Sequence, residues 1–308
     1  MTEPAPTSPT RHRLAVLAAL AAFPLLFFGG AVTSKNAGLA VPDWPLSYGS
    51  INPPGWWRID HVFYEHSHRL LGWTVGFLAI AQAVAAGFGE KRPAVRRLAY
   101  GLLVGVSIQG LLGGLRVTEI STTLALVHGC FGQLVFAAMV VMAAVSSPRW
   151  PGLTPRPFEA GGYSSRFAIA TLLAVVGQLI LGAAGRHLGV TVVPHVLWSL
   201  AVMAMVHAGL GRVLRSYRDV GFLRIPAVLA AILVVVQMGI GVAAWAVTAQ
   251  QNPARTASLL EWAVPTLHVA VGAIILASTA VMAVVSFRVT ESTVACASPQ
   301  PNAPLSAR

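Results

Sequence analysis

Four of the nine histidines recur at matching places along the chain. Each lies in or just before the first turns of an apolar segment. They are His68, His128, His195 and His268. Three of the apolar segments that precede them contain a glutamine followed four residues later by a glycine. These pairs are Gln109 with Gly113, Gln178 with Gly182, and Gln237 with Gly241. The first preceding segment ends on Gly29 and Gly30 and has no such glutamine. This recurrence indicates an internal repeat.

A histidine at membrane depth is energetically costly without a partner, so such residues usually mark function. Haem iron takes axial ligands from side chains, and histidines on two facing helices can hold it from opposite sides. The four histidines form two candidate pairs, one in each half of the chain, and could ligate two haems. The alternative is that each histidine simply ends an apolar run at interfacial water. Repetition together with the architecture favours ligation.

Other metal sites fit the sequence less well. There is no clustered set of cysteine and histidine and no carboxylate-rich apolar segment suited to a di-iron centre. Neither CxxC nor HExxH occurs. The two cysteines, Cys130 and Cys296, lie on distant and dissimilar segments, so no disulfide is expected.

The elements that must position these histidines are membrane-spanning helices. The chain is 56% hydrophobic and 10% charged, with a mean hydropathy of +0.70, so it must face lipid. Eight apolar stretches are long enough to cross a bilayer, which takes about 20 residues. They are 14–33, 67–88, 98–116, 123–146, 167–185, 193–213, 224–248 and 262–287. The sequence therefore predicts an all-α membrane protein of eight transmembrane helices.

The repeat divides these helices into two pseudo-repeated four-helix bundles. We expect an N-terminal half at residues 1–150 and a C-terminal half at 151–290, and we expect the polar segment 291–308 to be disordered. The first apolar stretch also has the features of a secretory signal, whose removal would leave seven spans.

The formal charge of +11 is distributed as a topology signal, and it does not form a nucleic-acid-binding patch. With the N-terminus inside, fifteen of the twenty-one Lys and Arg residues fall in cytoplasmic segments. The outer side keeps Lys35, Arg58, Arg69, Arg116, Arg186 and Arg255. The positive-inside rule then predicts a bacterial-type cytoplasmic membrane protein with both termini in the cytoplasm. In this orientation the four histidines lie near the outer surface.

The other five histidines are expected to have lesser roles. His12 is predicted in the cytoplasmic tail, His61 and His187 in outer loops, and His66 on a different helical face from His68. These four should be solvated. For His207 a core or interhelical hydrogen bond is favoured over ligation.

Three segments resemble the heme A synthase family. They are Gly29–Ser34 (GGAVTS), Gly38–Leu46 (GLAVPDWPL) and Glu65–Gly72 (EHSHRLLG). The resemblance extends over all eight spans, and it includes the segments around His128, Gly182–Arg186, His195 and Pro265–His268. It implies an integral-membrane enzyme that oxidises a methyl group of haem O to the formyl group of haem A by successive hydroxylation, for terminal oxidase assembly. Heme O synthase and oxidase assembly proteins are the implied partners.

The resemblance also implies roles for individual residues. His68 and His128 would face the substrate haem O, while His195 and His268 would ligate a haem b cofactor. Glu65 matches the family's essential glutamate and lies three residues before His68, on the same helical face, so it is the candidate catalytic carboxylate. The structural alternative is that Glu65 interacts with the positive end of its helix.

Several outer residues have two interpretations. Arg69, Arg116 and Arg186 could hold haem propionates by charge-assisted hydrogen bonds, or anchor helix ends at the interface. Trp44 could pack on a haem edge or sit at the interface as Trp commonly does. The sequence departs from the family in two respects: the first outer loop lacks a cysteine pair, and Val196 follows His195 where arginine is frequent. No cysteine-based redox role is therefore expected.

Two other function classes remain open at this point. A non-catalytic di-haem electron-transfer or haem-binding protein needs the four histidines but not Glu65. A transporter would bind no haem.

Overall fold

The computed structural model describes residues 8–157, 162–249 and 257–290, and within them the chain forms eight long α-helices. They are α1 (Pro9–Ser34), α2 (Asp60–Gly89), α3 (Pro93–Thr118), α4 (Thr122–Ser146), α5 (Ser165–Leu188), α6 (Val193–Ser216), α7 (Gly221–Ala249) and α8 (Leu259–Val289). Every one is long and apolar enough to cross a membrane. The predicted all-α fold with eight transmembrane helices is confirmed, and the protein is a multi-pass membrane protein. The segment predicted to be disordered, 291–308, lies outside the described residues.

The helix ends follow local capping rules. Pro9 opens α1 behind a Ser8 cap, since proline lacks the amide that a first turn would leave unpaired. Ser121 and Ser164 cap α4 and α5, and Gly189 ends α5 in the left-handed conformation. Ser258 forms a capping box with Glu261 at the start of α8.

Helix packing forms two rings of four. Helices α1 to α4 form the first bundle, with contacts between successive helices and between α1 and α4. Helices α5 to α8 repeat this arrangement in the second bundle. The bundles meet where α1 and α4 pack against α8 and where α4 packs against α5. In α8, 67% of the most apolar window is buried, against 17–33% in the other helices, so α8 forms the centre of the molecule.

Since consecutive helices run antiparallel, odd-numbered helices end where even-numbered ones begin. We call this side the histidine end. At the opposite end, a polar cluster joins three elements of the first bundle: Glu90, 4% exposed, pairs with Arg92 and with Arg11 of α1. Arg92 also donates to the carbonyl of Val145 at the end of α4. Burial opposes ionisation of Glu90, but the hydrogen bonds and charges of the two arginines outweigh it and lower its pKa.

The α2 helix begins at Asp60, well before the apolar stretch that starts at 67. Asp60 and His61 in its first turn are exposed, and the first outer loop covers the next turn through bonds to Glu65 and His66. The extension places Glu65 and His66 on α2 as buried residues.

Candidate functional site

The four recurrent histidines meet in two pairs at the histidine end. The ring centres of His68 and His128 are 6.3 Å apart in the first bundle. Those of His195 and His268 are 6.1 Å apart in the second. Each pair joins two helices that are not consecutive, so the ring closure of each bundle creates it.

A glycine lies beside each of these imidazoles on the preceding helix. A Cβ placed on Gly29 would lie 3.0 Å from Cε1 of His68, and one on Gly113 would lie 3.0 Å from Cε1 of His128. In the second bundle the corresponding distances are 2.7 Å from Gly182 to His195 and 2.9 Å from Gly241 to His268. Larger residues would push the rings away, so the recurrent glycines are explained by the space that the imidazoles occupy.

Hydrogen bonds repeat between the bundles as well. The carbonyl of Leu25 accepts from Nδ1 of His68 at 3.1 Å, and the carbonyl of Gln178 accepts from Nδ1 of His195 at 3.1 Å. Leu25 and Gln178 each stand four residues before their glycine. Because a carbonyl can only accept, the proton lies on Nδ1 in both rings. The Nε2 lone pair of His68 is left available to a metal. Nε2 of His195 accepts from the side-chain amide of Gln178 at 3.3 Å, a bond that a metal would replace.

The second histidine of each pair is held through its backbone. Gln109 donates to the carbonyl of His128 at 2.8 Å, and Gln237 donates to the carbonyl of His268 at 2.9 Å. The Nδ1 atoms of these two rings are buried without a hydrogen-bond partner. The glutamines of the sequence repeat therefore orient helices α4 and α8 against α3 and α7.

The ring spacing can be tested against haem ligation. An iron atom bound by two imidazoles through bonds of about 2 Å would leave about 6 Å between the ring centres. Both observed pairs meet this requirement. The residues present thus fit a haem iron held by two axial histidines in either bundle. No cluster of three or more His, Cys, Asp or Glu side chains suited to a metal ion occurs among the described residues.

Glu65 and Arg69 fasten the first outer loop to α2. Arg69 donates to Glu65 at 2.6 Å, and to the carbonyls of Val41 and Asp43 at 3.0 and 2.6 Å. It also donates to the carbonyl of Leu46. The second oxygen of Glu65 accepts from the Val41 amide at 3.0 Å, and Glu65 is 3% exposed. Arg69 is therefore occupied by protein acceptors.

Trp44 closes the same loop over α3. A Cβ on Gly114 would lie 2.6 Å from Cδ2 of Trp44, so the indole rests directly on this glycine, next to Gly113. Asp43 accepts from the amides of Gly49 and Tyr48 at 2.8 and 2.7 Å. These bonds, the Gly49 bond foremost, outweigh desolvation and lower the pKa of Asp43. The turn is thus held by a carboxylate that stays ionised.

The other two arginines differ in how they are engaged. Arg186 of α5 donates to the Gly30 carbonyl at 3.1 Å and to Oγ of Ser34 at 2.7 Å, both on α1. The Ser34 hydroxyl lies 3.1 Å from that of Thr266 on α8, so these contacts join the two bundles. Arg116 of α3 makes no hydrogen bond with any described residue, although its guanidinium lies against Gly38 of the loop.

Known proteins match this chain over part of its length. Residues 58–194 match the family model described as cytochrome oxidase assembly protein. A heme A synthase of Rhodopseudomonas palustris (strain BisA53) is 30% identical over 154 residues, which cover 46% of this chain and 42% of that protein. The resemblance to the heme A synthase family is confirmed. A heme A synthase of Caulobacter sp. (strain K31) is 30% identical over 146 residues, 43% of this chain and 41% of that protein. One of Symbiobacterium thermophilum is 29% identical over 173 residues, 53% of this chain and 55% of that protein.

These matches span about half the length of the heme A synthases or less. The family-model match contains Glu65, His68 and His128 and ends one residue before His195. The family relationship therefore bears most directly on the first pair. The interpretation of the second pair as a haem site depends on its geometric similarity to the first.

Three predictions for the remaining histidines were wrong. His66 is 2% exposed, with Nδ1 2.8 Å from Oγ of Ser47 and its ring against Trp56, because the outer loop folds over it. His12 is half-buried and lies 3.3 Å from Oγ of Ser146, since α1 begins at Pro9. His187 lies within α5 and is half-buried, because that helix continues to Leu188.

The last two histidines are exposed. His61 is exposed as expected, although it lies in the first turn of α2 and not in a loop. His207 bonds the carbonyl of Met203 on its own helix, so the expected core or interhelical bond is not made.

Proposed function

We propose that the protein is a haem-dependent membrane oxidoreductase of the heme A synthase type, which oxidises a methyl group of haem O to the formyl group of haem A. The conversion replaces two methyl hydrogens with one oxygen and is a four-electron oxidation of that carbon. A bound haem supplies redox chemistry that side chains lack. The proposal is supported by the family relationship and by two histidine pairs with the spacing of axial ligands.

The two bundles are proposed to be specialised. His68 and His128 would face the substrate haem O in the N-terminal half, residues 1–150. His195 and His268 would ligate a haem b cofactor in the C-terminal half, residues 151–290. The observation that carries this assignment is the buried carboxylate of Glu65, one turn before His68 on α2. Electrons from the substrate would leave through the second haem.

Glu65 is proposed as the carboxylate that serves the reaction at the first pair. Both of its oxygens already accept hydrogen bonds, one from Arg69 and one from Val41. The bonded carboxylate could stabilise positive charge during oxidation or take part in proton transfer. The bonds from Arg69 and Val41 hold the Glu65 carboxylate in a fixed position relative to α2.

The three arginines Arg69, Arg116 and Arg186 are proposed to have different roles at the two histidine pairs. Arg116 has its guanidinium unengaged by described residues and would bind a haem propionate. Arg69 holds the loop and Glu65, and Arg186 holds α1 against α5. These two would position the sites through the elements that they fasten. The propionate ligation foreseen for all three then falls chiefly to Arg116.

We also propose that the histidine end faces away from the cytoplasm, which places both termini inside. The support is the concentration of Lys and Arg in segments at the opposite end, as the positive-inside rule requires. Heme O synthase and terminal oxidase assembly proteins are the proposed partners on the basis of the family relationship.

The test is the identity of the haems. The full chain is expressed in a membrane that makes haem O, and haems extracted from the purified protein are separated by chromatography. We expect haem b together with haem A or a hydroxylated haem O. Purified protein without any haem, as a transporter would be, would contradict the proposal.

A second candidate is a non-catalytic di-haem electron-transfer protein. It is favoured by one observation, the near-equal geometry of the two pairs, at 6.3 and 6.1 Å. Such a protein would carry two haems b and leave haem O unchanged in the same experiment.

A further inference from the structure

His187 lies next to the first histidine pair but comes from the other bundle. It belongs to α5 of the second bundle, yet its Nε2 would lie 3.7 Å from a Cβ on Gly129 of α4. Gly129 follows His128 directly in the chain. The imidazole of His187 is therefore held beside the first pair, at the contact between α4 and α5.

Arg116 approaches the same place from α3. It lies three residues after Gly113, which contacts the His128 ring, and its charge acts on both His128 and His187. Neither Arg116 nor His187 has a hydrogen-bond partner in the ranges that the structure covers, and both are half-buried. Two donor side chains from different bundles thus flank the His128 segment without a described acceptor.

The local charge is unbalanced in favour of an anion. Glu65 is neutralised by its ion pair with Arg69, at 2.6 Å. Glu119, three residues beyond Arg116, is exposed and forms no ion pair with it.

Arg186, which precedes His187, bonds to the neutral Gly30 carbonyl and Ser34 hydroxyl. Arg116 and Arg186 are thus positive charges without a carboxylate partner among the described residues, in an environment where an unpaired charge is unfavourable. A carboxylate bound here would accept hydrogen bonds from a cation and from an imidazole N–H.

We propose that Arg116 and His187 together form a carboxylate receptor at the first histidine pair, so that the second bundle contributes to holding the propionate of the haem bound by the first. This rests on the proposed function, because it takes a haem at His68 and His128 as the ligand. His187 would donate an N–H to the propionate, while Arg116 supplies the charge. A propionate bound by both side chains would also hold α3 of the first bundle and α5 of the second in a fixed relative position.

The receptor can be tested by removing the carboxylates from the ligand. Ferric haem O and its dimethyl ester are titrated into the full chain carrying His195→Ala and His268→Ala, so that only the first pair binds. We expect the diacid to bind about tenfold or more tightly than the ester. His187→Ala should reduce this preference several-fold, and Arg116→Ala should remove it. His207→Ala, at an exposed histidine bonded within its own helix, should leave it unchanged.

Each other outcome has a distinct meaning. Equal weakening of the acid and the ester by His187→Ala would assign the residue to packing and overturn the receptor. No effect of His187→Ala on either would also overturn it. The titrations are made in lipid-free detergent, so that no lipid phosphate competes for the same groups. A diacid that binds no more tightly than the ester under these conditions would overturn the receptor.

The failure of the proposed function is separable. Binding of neither form of haem, with no six-coordinate histidine spectrum, would contradict the first pair as a haem site. If the doubly substituted chain does not fold, the acid and ester are compared on the unsubstituted chain by counting bound haems with native mass spectrometry. The receptor is then tested by whether His187→Ala reduces the preference for the diacid over the ester at the more weakly bound of the two haems.

Discussion

His68 rests on Gly29, with the imidazole Cε1 3.0 Å from the position that a Cβ on this glycine would take. The neighbouring Gly30 packs in the same way against Thr266 of α8, 3.3 Å from its Cγ2. One dipeptide of α1 thus contacts a ligand candidate of the first bundle and a helix of the second. Helix α1 therefore packs directly against the first histidine pair and against the α8 segment that precedes His268.

The glycines beside the imidazoles should be intolerant of even one methyl group. Gly113→Ala would place its Cβ against His128, so we expect loss of most haem from the first pair without loss of the second. Gly241→Ala should do the converse through His268. The measurement is haem content and absorption spectrum of the purified variants.

Both helices offer a matched control for this substitution. Gly110 on α3 and Gly239 on α7 have open space where a Cβ would be. Alanine there should keep both haems and stabilise its helix slightly, by up to about 1 kcal/mol. Haem loss in the controls equal to that in the test variants would show that the imidazole contact is not the cause.

Replacing Glu65 by glutamine should separate charge from shape. Glu65→Gln keeps an oxygen for the Val41 amide but loses the ion pair with Arg69. We expect conversion of haem O to fall by about 100-fold or more, the range seen when one stabilising group is removed, while the haem content is retained. Glu119→Gln, at an exposed carboxylate, is the control. Conversion at the original rate in Glu65→Gln would remove this residue from the catalytic set.

Arg186 should stabilise the association of the bundles. Arg186→Ala removes bonds to Gly30 and Ser34 of α1, each worth about 1.5–3 kcal/mol as a hydrogen bond to a charged group. The thermal unfolding midpoint of the purified protein should fall by several degrees. Arg215→Ala on the exposed face of α6 should not change it. An unchanged midpoint in Arg186→Ala would assign the contact no net stabilisation.

The cluster around Glu90 predicts a defined pH dependence. The folded protein lowers the pKa of this carboxyl, so its contribution is fully present above the unfolded pKa of about 4.3. It is lost as the pH falls through the lower folded value, because protonation breaks the pairs with Arg92 and Arg11. Thermal midpoints from pH 6 down to 3.5 should therefore fall more steeply for the unsubstituted protein than for Glu90→Gln. Parallel curves would contradict the assignment.

The sequence was sufficient to predict the eight spans and the two histidine pairs. A long apolar stretch is enough to predict a transmembrane helix. The repeated Gly residues mark positions that leave space for an imidazole, and the repeated Gln residues mark positions that orient the next helix. The start of α2 was predicted too late, because Asp60, His61, Glu65 and His66 lower the mean hydropathy of its first turns. The burial of His66 could not be predicted because the loop that carries Ser47 and Trp56 covers it.

The role of Arg69 could not be predicted from residue types. Three of its acceptors are backbone carbonyls, those of Val41, Asp43 and Leu46, and a carbonyl leaves no trace in a sequence. The same holds for the Leu25 carbonyl that orients His68. His187 did leave a signal, its position next to Arg186, but the length of α5 had to be known before it could be placed beside Gly129.

We propose that the two similar histidine pairs hold different haems, and selective removal of each pair tests this. The variants His68→Ala with His128→Ala, and His195→Ala with His268→Ala, are purified from a membrane that makes haem O, and their extracted haems are separated. We expect haem b alone in the first variant, and haem O without haem b or haem A in the second. The same haem b in both variants would contradict it.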